Sequence, residues 1–337
     1  MKILGIETSC DECAASVVED GKHILSNIVA TQIELHKIYN GVVPEIASRL
    51  HTEWIRSVVK EATTESGIDL SVIDGIAVTS RPGLVGSLLV GLSFAKGLAL
   101  AINKPYIGVN HIMAHLYAPY LEHDISYPYL GVLVSGGHTI ISRVTGFNEM
   151  EVLGTTIDDA CGEAFDKVAK FYDLGYPGGI AIDRLSNEGD PKSFNFPNPS
   201  LHKGDHRYDV SYSGLKTAVV NQLDQFRNGN SEKTKANIAA SFQRAAVSIL
   251  MKRVKLALKD TGLKRLVAGG GVVANSLLRS ELLDLENVET IIPSMALCTD
   301  NAAMIAGLGF HYLEKGIASE YSLNASARVP SFRKKYP

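Results

Sequence analysis

The feature that most constrains this chain is an internal repeat. Residues 4–12 (LGIETSCDE) align without a gap over residues 130–138 (LGVLVSGGH), and further along the same alignment Ser16 falls on Ser142. Each copy has an apolar run, a short polar turn and a second apolar run, which is the pattern of a β-hairpin. A duplicated hairpin predicts two lobes of related fold with a cleft between them.

Each hairpin is followed by a second kind of unit. Residues 76–83 (IAVTSRPG) and 266–272 (LVAGGGV) read as a buried strand that runs into a loop and then a helix. Such strand–loop–helix units are typical of α/β proteins, and a chain of 337 residues suffices for about two domains. We expect an N-terminal lobe of 1–125, completed by 300–337, and a C-terminal lobe of 126–299. Helices are predicted over 44–66, from Val85, within 231–260 and from Asn275.

Charge limits the ways in which the chain can bind nucleic acid. It has 33 basic and 36 acidic residues, a formal net charge of −3. A protein that binds nucleic acid by overall attraction is strongly basic. Any nucleic-acid partner must therefore be held by local groups or by other proteins.

Cysteine content and hydropathy indicate a cytoplasmic protein without a membrane partner. The chain has four cysteines, fewer than a secreted disulfide scaffold of this size would carry. Glu7 interrupts the first apolar run too early for a signal peptide. The most apolar stretch, 84–102, contains Lys96 and several glycines. A buried helix with small residues for close packing explains that stretch better than a membrane span.

Two histidines have the spacing of metal ligands. His111 and His115 are separated by one helical turn, and Asn110 is a suitable N-cap for a helix that begins there. The pair could share a metal ion, or it could simply be two partly buried histidines. His202 and His206 have the same spacing, but they lie in a segment rich in proline and glycine where no helix is expected.

Three glycine-rich turns could hold an anion. They are residues 135–138 (SGGH), 269–271 (GGG) and 175–179 (GYPGG), the last followed by Asp183. Consecutive backbone N–H groups without a Cβ can surround a phosphate. Each turn is weak evidence alone, but together they favour a nucleotide cleft. The chain has neither a P-loop nor a G-x-G-x-x-G motif after a strand.

Acidic residues complete the set of candidate groups. Asp11 and Glu12 fall in the first hairpin turn, and Asp158 and Asp300 each precede a predicted helix. For the last two, the simplest interpretation is N-capping, because an Asp before a helix accepts hydrogen bonds from its first N–H groups.

In combination, these motifs resemble those of the TsaD family, known earlier as YgjD or Gcp. The resemblance extends from Met1 to about Ser326. It rests on six segments in the family's order, namely 7–12, 110–115, 134–139, 158–166, 269–275 and 298–301.

The resemblance implies a fold and a reaction. The fold is the actin-like ATPase (ASKHA) fold, in which two RNase-H-like lobes close over a nucleotide. The reaction is the metal-assisted transfer of a threonylcarbamoyl group from threonylcarbamoyl-AMP to N6 of adenosine 37 in tRNAs that read codons beginning with A. The product is the modified base t6A, and the enzyme is an acyltransferase.

The resemblance also assigns roles to residues. It implies one divalent metal, Fe²⁺ by preference and Zn²⁺ as the alternative, bound by His111, His115 and Asp300. Asp11 and Glu12 match the acidic pair implicated in catalysis, and either could be the base. The positions that match the family's adenylate site are Val134, Ser135, Gly136, Gly137, His138, Asp166, Gly179, Asp183 and Asn275, and the ligand there would be threonylcarbamoyl-AMP or an ATP- or ADP-type nucleotide.

Partners follow from the same resemblance. They are the anticodon loop of tRNA, a TsaB-like paralogue and a TsaE-like ATPase. Arg49, Arg56, Lys203, Arg207 and the tail at 333–335 are candidate phosphate contacts. The alternatives are an actin-like small-molecule kinase or ATPase, which would not need the histidines, a metallo-glycopeptidase, and a scaffold protein. Zincin peptidases carry a glutamate directly after the first histidine, and here that position is Ile112.

Overall fold

The computed structural model describes residues 1–198 and 206–329. Its contacts divide the chain into two units, Met1–Ile125 together with the chain from Pro293, and Ser126–Ile292. Residues 293–299, which we expected in the C-terminal lobe, are grouped with the first unit, and Glu122 Oε2 accepts a hydrogen bond from Ser294 N at 2.8 Å. Three predicted features, His202, Lys203 and the basic tail at 333–335, lie outside the described residues.

The first unit contains a five-stranded sheet with the order β3-β2-β1-β4-β5. The pairs β1–β2 and β2–β3 are antiparallel, whereas β1–β4 and β4–β5 are parallel. The strands are β1 (Lys2–Glu7), β2 (Glu12–Glu19), β3 (His23–Thr31), β4 (Gly75–Arg81) and β5 (Tyr106–Asn110), and the helices between them are α1 (Ile33–Lys37), α2 (Pro44–Ser66), α3 (Val85–Ile102) and α4 (His111–Tyr117), with short 3₁₀ turns at Leu70–Val72 and Ala118–Leu121.

The second unit repeats this plan in the order β10-β9-β6-β7-β8. Again the hairpin and its third strand are antiparallel, and the two remaining pairs are parallel. The strands are β6 (Tyr129–Val134), β7 (Thr139–Gly146), β8 (Glu149–Thr155), β9 (Arg265–Gly269) and β10 (Glu289–Ile291), and the helices are α5 (Cys161–Phe171), α6 (Gly178–Ser186), α7 (Ser213–Asn221), α8 (Lys235–Thr261) and α9 (Ser276–Leu283), with 3₁₀ turns at Leu223–Phe226 and Gly271–Ala274.

The register confirms the repeat that the sequence predicts. In β1–β2, Gly5 lies opposite Ser16, and in β6–β7, Gly131 lies opposite Ser142. The aligned residues of the two copies therefore occupy equivalent positions in two hairpins. Each turn follows a buried central strand, so its residues lie at the carboxyl end of that strand, at one edge of the sheet.

The returning segment completes the first unit with α10 (Met295–Cys298) and α11 (Ala302–Glu314). Helix α11 is almost entirely buried and packs against β1. The contact is close, because a Cβ at Gly5 would lie 2.2 Å from the carbonyl oxygen of Ala302. Asn301 caps the helix by accepting a hydrogen bond from Met304 N at 3.0 Å. Asn301, and not Asp300, therefore occupies the N-cap position.

Helix α3 is the apolar segment found in the sequence. By length and composition alone it could cross a membrane, with a mean hydropathy of 1.9, but the core helix of an α/β protein meets the same criterion. It packs against β4 and α2, and it buries Leu88, Leu92, Ala95 and Ala99. Lys96 Nζ is held by the carbonyl oxygens of Tyr321 and Leu323. These contacts bury one face of the helix, 33% of its residues, against the rest of the first unit.

Candidate functional site

A short helix brings the two histidines together. Strand β5 ends at Asn110, whose side chain accepts a hydrogen bond from Ile112 N at 2.9 Å and starts α4 as predicted. One turn of α4 then places His111 and His115 on one face, with their ring centroids 4.5 Å apart. Their Nε2 atoms are 3.2 Å from each other. Both side chains are buried.

Asp300 joins this pair from the start of α11. Its Oδ1 atom lies 3.0 Å from Nε2 of His115 and 3.5 Å from Nε2 of His111. The three ligand atoms lie within 4.8 Å of one another. Atoms bound tetrahedrally to one ion at metal–nitrogen distances near 2 Å are about 3.3 Å apart, so this cluster has the dimensions of a metal site. Two histidines and one carboxylate suit Fe²⁺ or Zn²⁺ and leave positions open for a substrate.

A fourth buried group stands behind His111. Glu7, the last residue of β1, places Oε2 at 2.9 Å from Nδ1 of His111. Its other contacts are with Ser9 N at 2.5 Å and with Thr79 Oγ1 at 2.5 Å. No role in a functional site was predicted for Glu7 from the sequence. The available signal was an acidic residue at the end of an otherwise apolar strand.

The charges of this cluster act on one another. Burial disfavours the charged form of His111, but the carboxylates of Glu7 and Asp300 outweigh it and raise the pKa of His111 to about 9. Burial and the neighbouring His111 lower the pKa of His115. Burial alone would raise the pKa of Glu7, yet His111 holds that pKa below its usual value. The cluster therefore attracts one positive charge, which a proton or a metal ion can supply.

The acidic pair lies beside this cluster. Asp11 is buried in the first hairpin turn, and Glu12 begins β2, where Thr31 Oγ1 donates to its Oε1 at 3.3 Å. Burial and the negative charges of Asp300 and Asp11 raise the pKa of Glu12 well above its usual value. This shift favours the protonated form of Glu12.

The second unit presents a turn of a different kind. Ser135 closes the turn by accepting a hydrogen bond from His138 N on Oγ at 3.1 Å and by donating its own N–H to the carbonyl oxygen of His138 at 2.8 Å. Within the described chain, a Cβ added at Gly136 or Gly137 would meet no atom within 4 Å. At Gly162, the second residue of α5, a Cβ would lie 2.7 Å from Gly136 Cα. The turn thus sits against the start of α5 with open space in front of its two glycines.

The remaining predicted adenylate positions form two hydrogen-bonded groups in this unit. Asp166 Oδ1 accepts from Gly178 N at 2.8 Å and so fixes the start of α6 next to Gly179. Asp183 Oδ1 accepts from Asn275 Nδ2 at 3.1 Å.

A glutamine that the sequence analysis missed completes the second group. Asn275 Nδ2 also donates to Oε1 of Gln243, a buried residue of α8, at 2.9 Å. No pattern in the sequence marked Gln243, because a glutamine inside an apolar helix becomes informative only when its partner is known.

Asp158 has a role other than the predicted one. Helix α5 is preceded by Ala160 at its N-cap position. Asp158 instead accepts hydrogen bonds from the hydroxyls of Ser211 and Ser213 and from Tyr212 N, at 2.5, 2.7 and 2.8 Å. It therefore holds the start of α7, and the N-cap prediction for α5 was wrong.

Two of the candidate phosphate contacts are already engaged with acids. Arg49 lies 2.9 Å from Glu45, and Arg207 makes two hydrogen bonds to Asp260 at 2.7 and 2.9 Å. A contact of these arginines with tRNA stays a prediction.

Comparison with known proteins gives consistent matches. Residues 23–307 match the family model described as TsaD, tRNA N6-adenosine threonylcarbamoyltransferase. A protein of that name from Treponema denticola is 66% identical over 99% of this chain and 99% of its own length. Another, from Borrelia duttonii, is 54% identical over 99% and 98%.

Solved structures show the fold. HypF from T. kodakarensis superposes with a TM-score of 0.64 at 14% identity, covering 96% of this chain and 49% of HypF. Component A of (R)-2-hydroxyglutaryl-CoA dehydratase from Acidaminococcus fermentans gives 0.56 at 13% identity, covering 93% and 99%. These are proteins of the actin-like ATPase fold, so the predicted fold class is confirmed.

Proposed function

Because the chain belongs to the TsaD family and is therefore an acyltransferase that forms t6A in tRNA, we propose that His111, His115 and Asp300 hold the divalent metal that assists this transfer. The observation that carries the proposal is the convergence of three ligand atoms within 4.8 Å, beside an acidic pair in the same unit. We propose Fe²⁺ as the native ion, with Zn²⁺ as the alternative.

The metal site can serve an acyl transfer. When bound, such an ion supplies Lewis-acid stabilisation to oxygen atoms of the donor. His111 and His115 would bind it through Nε2 and Asp300 through Oδ1, since these are the atoms that face one another. A zincin-type hydrolysis lacks its general base here, because the residue after His111 is the buried Ile112.

We assign the acidic pair different parts in the transfer. The acceptor is the N6 amine of adenosine 37, a weak nucleophile because its lone pair is delocalised into the ring. We propose that Asp11 accepts the proton that this amine loses. We assign to Glu12, whose raised pKa favours its protonated form, the donation of a hydrogen bond. A positioned carboxylate of this kind contributes a factor of about 10²–10⁴ to the rate.

The second unit would bind the adenylate part of threonylcarbamoyl-AMP or an ATP- or ADP-type nucleotide. The open space before Gly136 and Gly137 suits a phosphate that approaches backbone N–H groups. Asp183, Asn275 and the start of α6 at Gly178–Gly179 offer polar groups for adenine and ribose.

Partner proteins are part of the proposal. tRNA is the acceptor that the family's name implies. With a net charge of −3, we propose that a TsaB-like paralogue and a TsaE-like ATPase help to present its anticodon loop, and that the protein works in the cytoplasm.

One experiment tests the reaction and the metal together. The protein, alone and with its paralogue, is incubated with threonylcarbamoyl-AMP and unmodified tRNA, and the nucleosides are analysed by mass spectrometry. We expect t6A at position 37 with wild type and loss of both bound metal and t6A with His111→Ala. Full activity of a His111→Ala protein without metal would contradict the metal assignment.

A further inference from the structure

The carboxylate of Glu7 is unfavourable at the buried position that it occupies. It is completely buried at the end of the central strand of the first unit. The internal repeat supplies a direct comparison, since the equivalent position at the end of β6 is Leu133, which is also buried. An apolar residue therefore satisfies this position in the same fold. Burying a carboxylate costs several kcal/mol unless partners compensate it.

The partners of Glu7 explain what the carboxylate is for. Ser9 N donates to Oε1, while Thr79 Oγ1 and the His111 ring share Oε2. Because a carboxylate only accepts hydrogen bonds, Nδ1 of His111 must be the donor in this contact. The Nε2 atom of a neutral His111 ring then keeps its lone pair, and Nε2 is the atom that faces His115 and Asp300.

The two histidines differ in this respect. Glu7 fixes the ring of His111 from behind. Among the described residues, Nδ1 of His115 is buried without a hydrogen-bond partner. The orientation of His115 is set from the front by Asp300, at 3.0 Å. The carboxylate behind His111 is thus a specific arrangement rather than a general property of the buried rings.

We propose that Glu7 is a positioning residue of the metal centre, which holds His111 in the tautomer and orientation that present Nε2 as a ligand. This inference rests on the metal site of the proposed function and extends it to a residue that touches neither metal nor substrate. An outer carboxylate of this kind fixes the ring and increases its basicity, and its loss weakens metal affinity by about 10- to 100-fold.

The test compares two variants of the full-length protein. Glu7→Gln keeps the shape but removes the negative charge. Thr79→Val removes a hydrogen bond to the same carboxylate from the adjacent strand and leaves the carboxylate in place. Co²⁺ affinity is measured by competition with a chromophoric chelator, together with the visible spectrum of the bound Co²⁺ and the melting temperature.

We expect Glu7→Gln to bind Co²⁺ about 10- to 100-fold more weakly and with an altered spectrum, while Thr79→Val stays within about threefold of wild type although its melting temperature falls. Wild-type affinity and spectrum in Glu7→Gln would overturn the inference. An equal loss of affinity in both variants would also overturn it, because the effect would then follow stability rather than the charge.

A measurement on the wild type decides the matter if Glu7→Gln does not fold. In protein labelled with ¹⁵N-histidine and loaded with Zn²⁺, NMR correlations between ring protons and nitrogens report which nitrogen carries the proton. His111→Ala identifies the signal. We expect His111 protonated at Nδ1 and bound to zinc through Nε2, and the opposite tautomer would exclude the role of Glu7.

Failure of this inference can be told apart from failure of the proposed function. If the wild type binds neither Co²⁺ nor Zn²⁺ in a manner that depends on His111, His115 and Asp300, the metal assignment falls and the role of Glu7 falls with it. If the wild type binds the ion and Glu7→Gln binds it equally well, only the role of Glu7 is lost.

Discussion

The two hairpin turns have the same place in the same topology, yet they are chemically opposite. The first turn carries Asp11 and Glu12 and follows Glu7. The equivalent positions in the second turn are Gly137, His138 and Leu133. In the first unit Glu7 and Asp11 are buried and Glu12 is half-buried, near a histidine pair, whereas in the second unit the glycines face open space. The same topology thus carries two different turns, one that groups acids beside two histidines and one that leaves space before two glycines.

The largest effect is expected from removing a ligand of the first unit. His115→Ala should lose the bound metal and lower transfer to tRNA by about 10³-fold, because two remaining donors do not hold a divalent ion tightly. Metal content is read by elemental mass spectrometry and t6A by nucleoside analysis. His206→Ala, a histidine of the second unit bound to Asp209 at 2.8 Å, is the matched control and should keep both. Metal retained in His115→Ala would refute the ligand set.

Substitution of the two acids of the first turn should lower the rate of transfer by unequal factors. Asp11→Asn should lower single-turnover transfer by about 10²–10³-fold through loss of the base. Glu12→Gln should lower it by less than about tenfold, because the raised pKa of Glu12 favours its neutral form and the amide can likewise donate a hydrogen bond. Bound metal should stay unchanged in both proteins. Equal losses in the two variants would mean that the acids act as a coupled pair.

Nucleotide affinity at the second turn should depend on the size of the side chains there rather than on their charge. Gly137→Ala places a methyl group where the described residues leave space. The folded protein should therefore keep its stability, while nucleotide affinity falls by about tenfold. Calorimetric titration with ADP or a threonylcarbamoyl-AMP analogue measures this. Gly97→Ala, which also enters open space but on α3, should leave affinity unchanged. Unaltered binding in Gly137→Ala would remove this turn from the nucleotide site.

The smallest effect on activity is expected from an acid of the second unit that serves the fold. Burial would raise the pKa of Asp158, but its hydrogen bonds from Ser211, Ser213 and Tyr212 outweigh burial and lower it. A lowered pKa adds stability above the ordinary value of about 4, and this stability is lost as the pH falls through the folded-state value.

Asp158→Asn should therefore reduce the free energy of unfolding by about 1–2 kcal/mol at pH 7, a modest figure because the side chain is partly exposed. The gap to wild type should shrink as the pH approaches 3. Urea unfolding at the two pH values checks this, and transfer activity per folded molecule should stay at the wild-type level. A gap that widens in acid would contradict the assignment.

Much of the scaffold could be predicted from the sequence, because local patterns specify it. The alignment of 4–12 on 130–138 predicted two related hairpins, and the paired positions Gly5–Ser16 and Gly131–Ser142 confirm this. Helix α2 begins at Pro44 and ends just before Gly67, and both residues are local boundary signals in the sequence. The helix beginning at Val85 and the cap at Asn110 were equally local signals.

Local rules were wrong for two acids that have distant partners. The simplest local interpretation made Asp158 and Asp300 the N-caps of the helices that follow them, yet Ala160 and Asn301 occupy those positions. Asp158 binds a segment more than fifty residues away, and Asp300 meets His115 across 185 residues of chain. A short-range rule describes the nearest backbone and gives no access to such contacts.

By itself, then, the sequence determined the duplicated α/β scaffold, the histidine pair within one helical turn and the glycine turns, because these depend on periodicity and on spacings of a few residues. The family resemblance implied Asp300 as the third ligand, but only the tertiary structure places it against the histidines and places Glu7 at Nδ1 of His111. It also decided that Glu12 lies where burial and the carboxylates of Asp300 and Asp11 raise its pKa. These contacts join residues far apart along the chain, and only the packing of strands and helices sets the distances and the burial on which their charges depend.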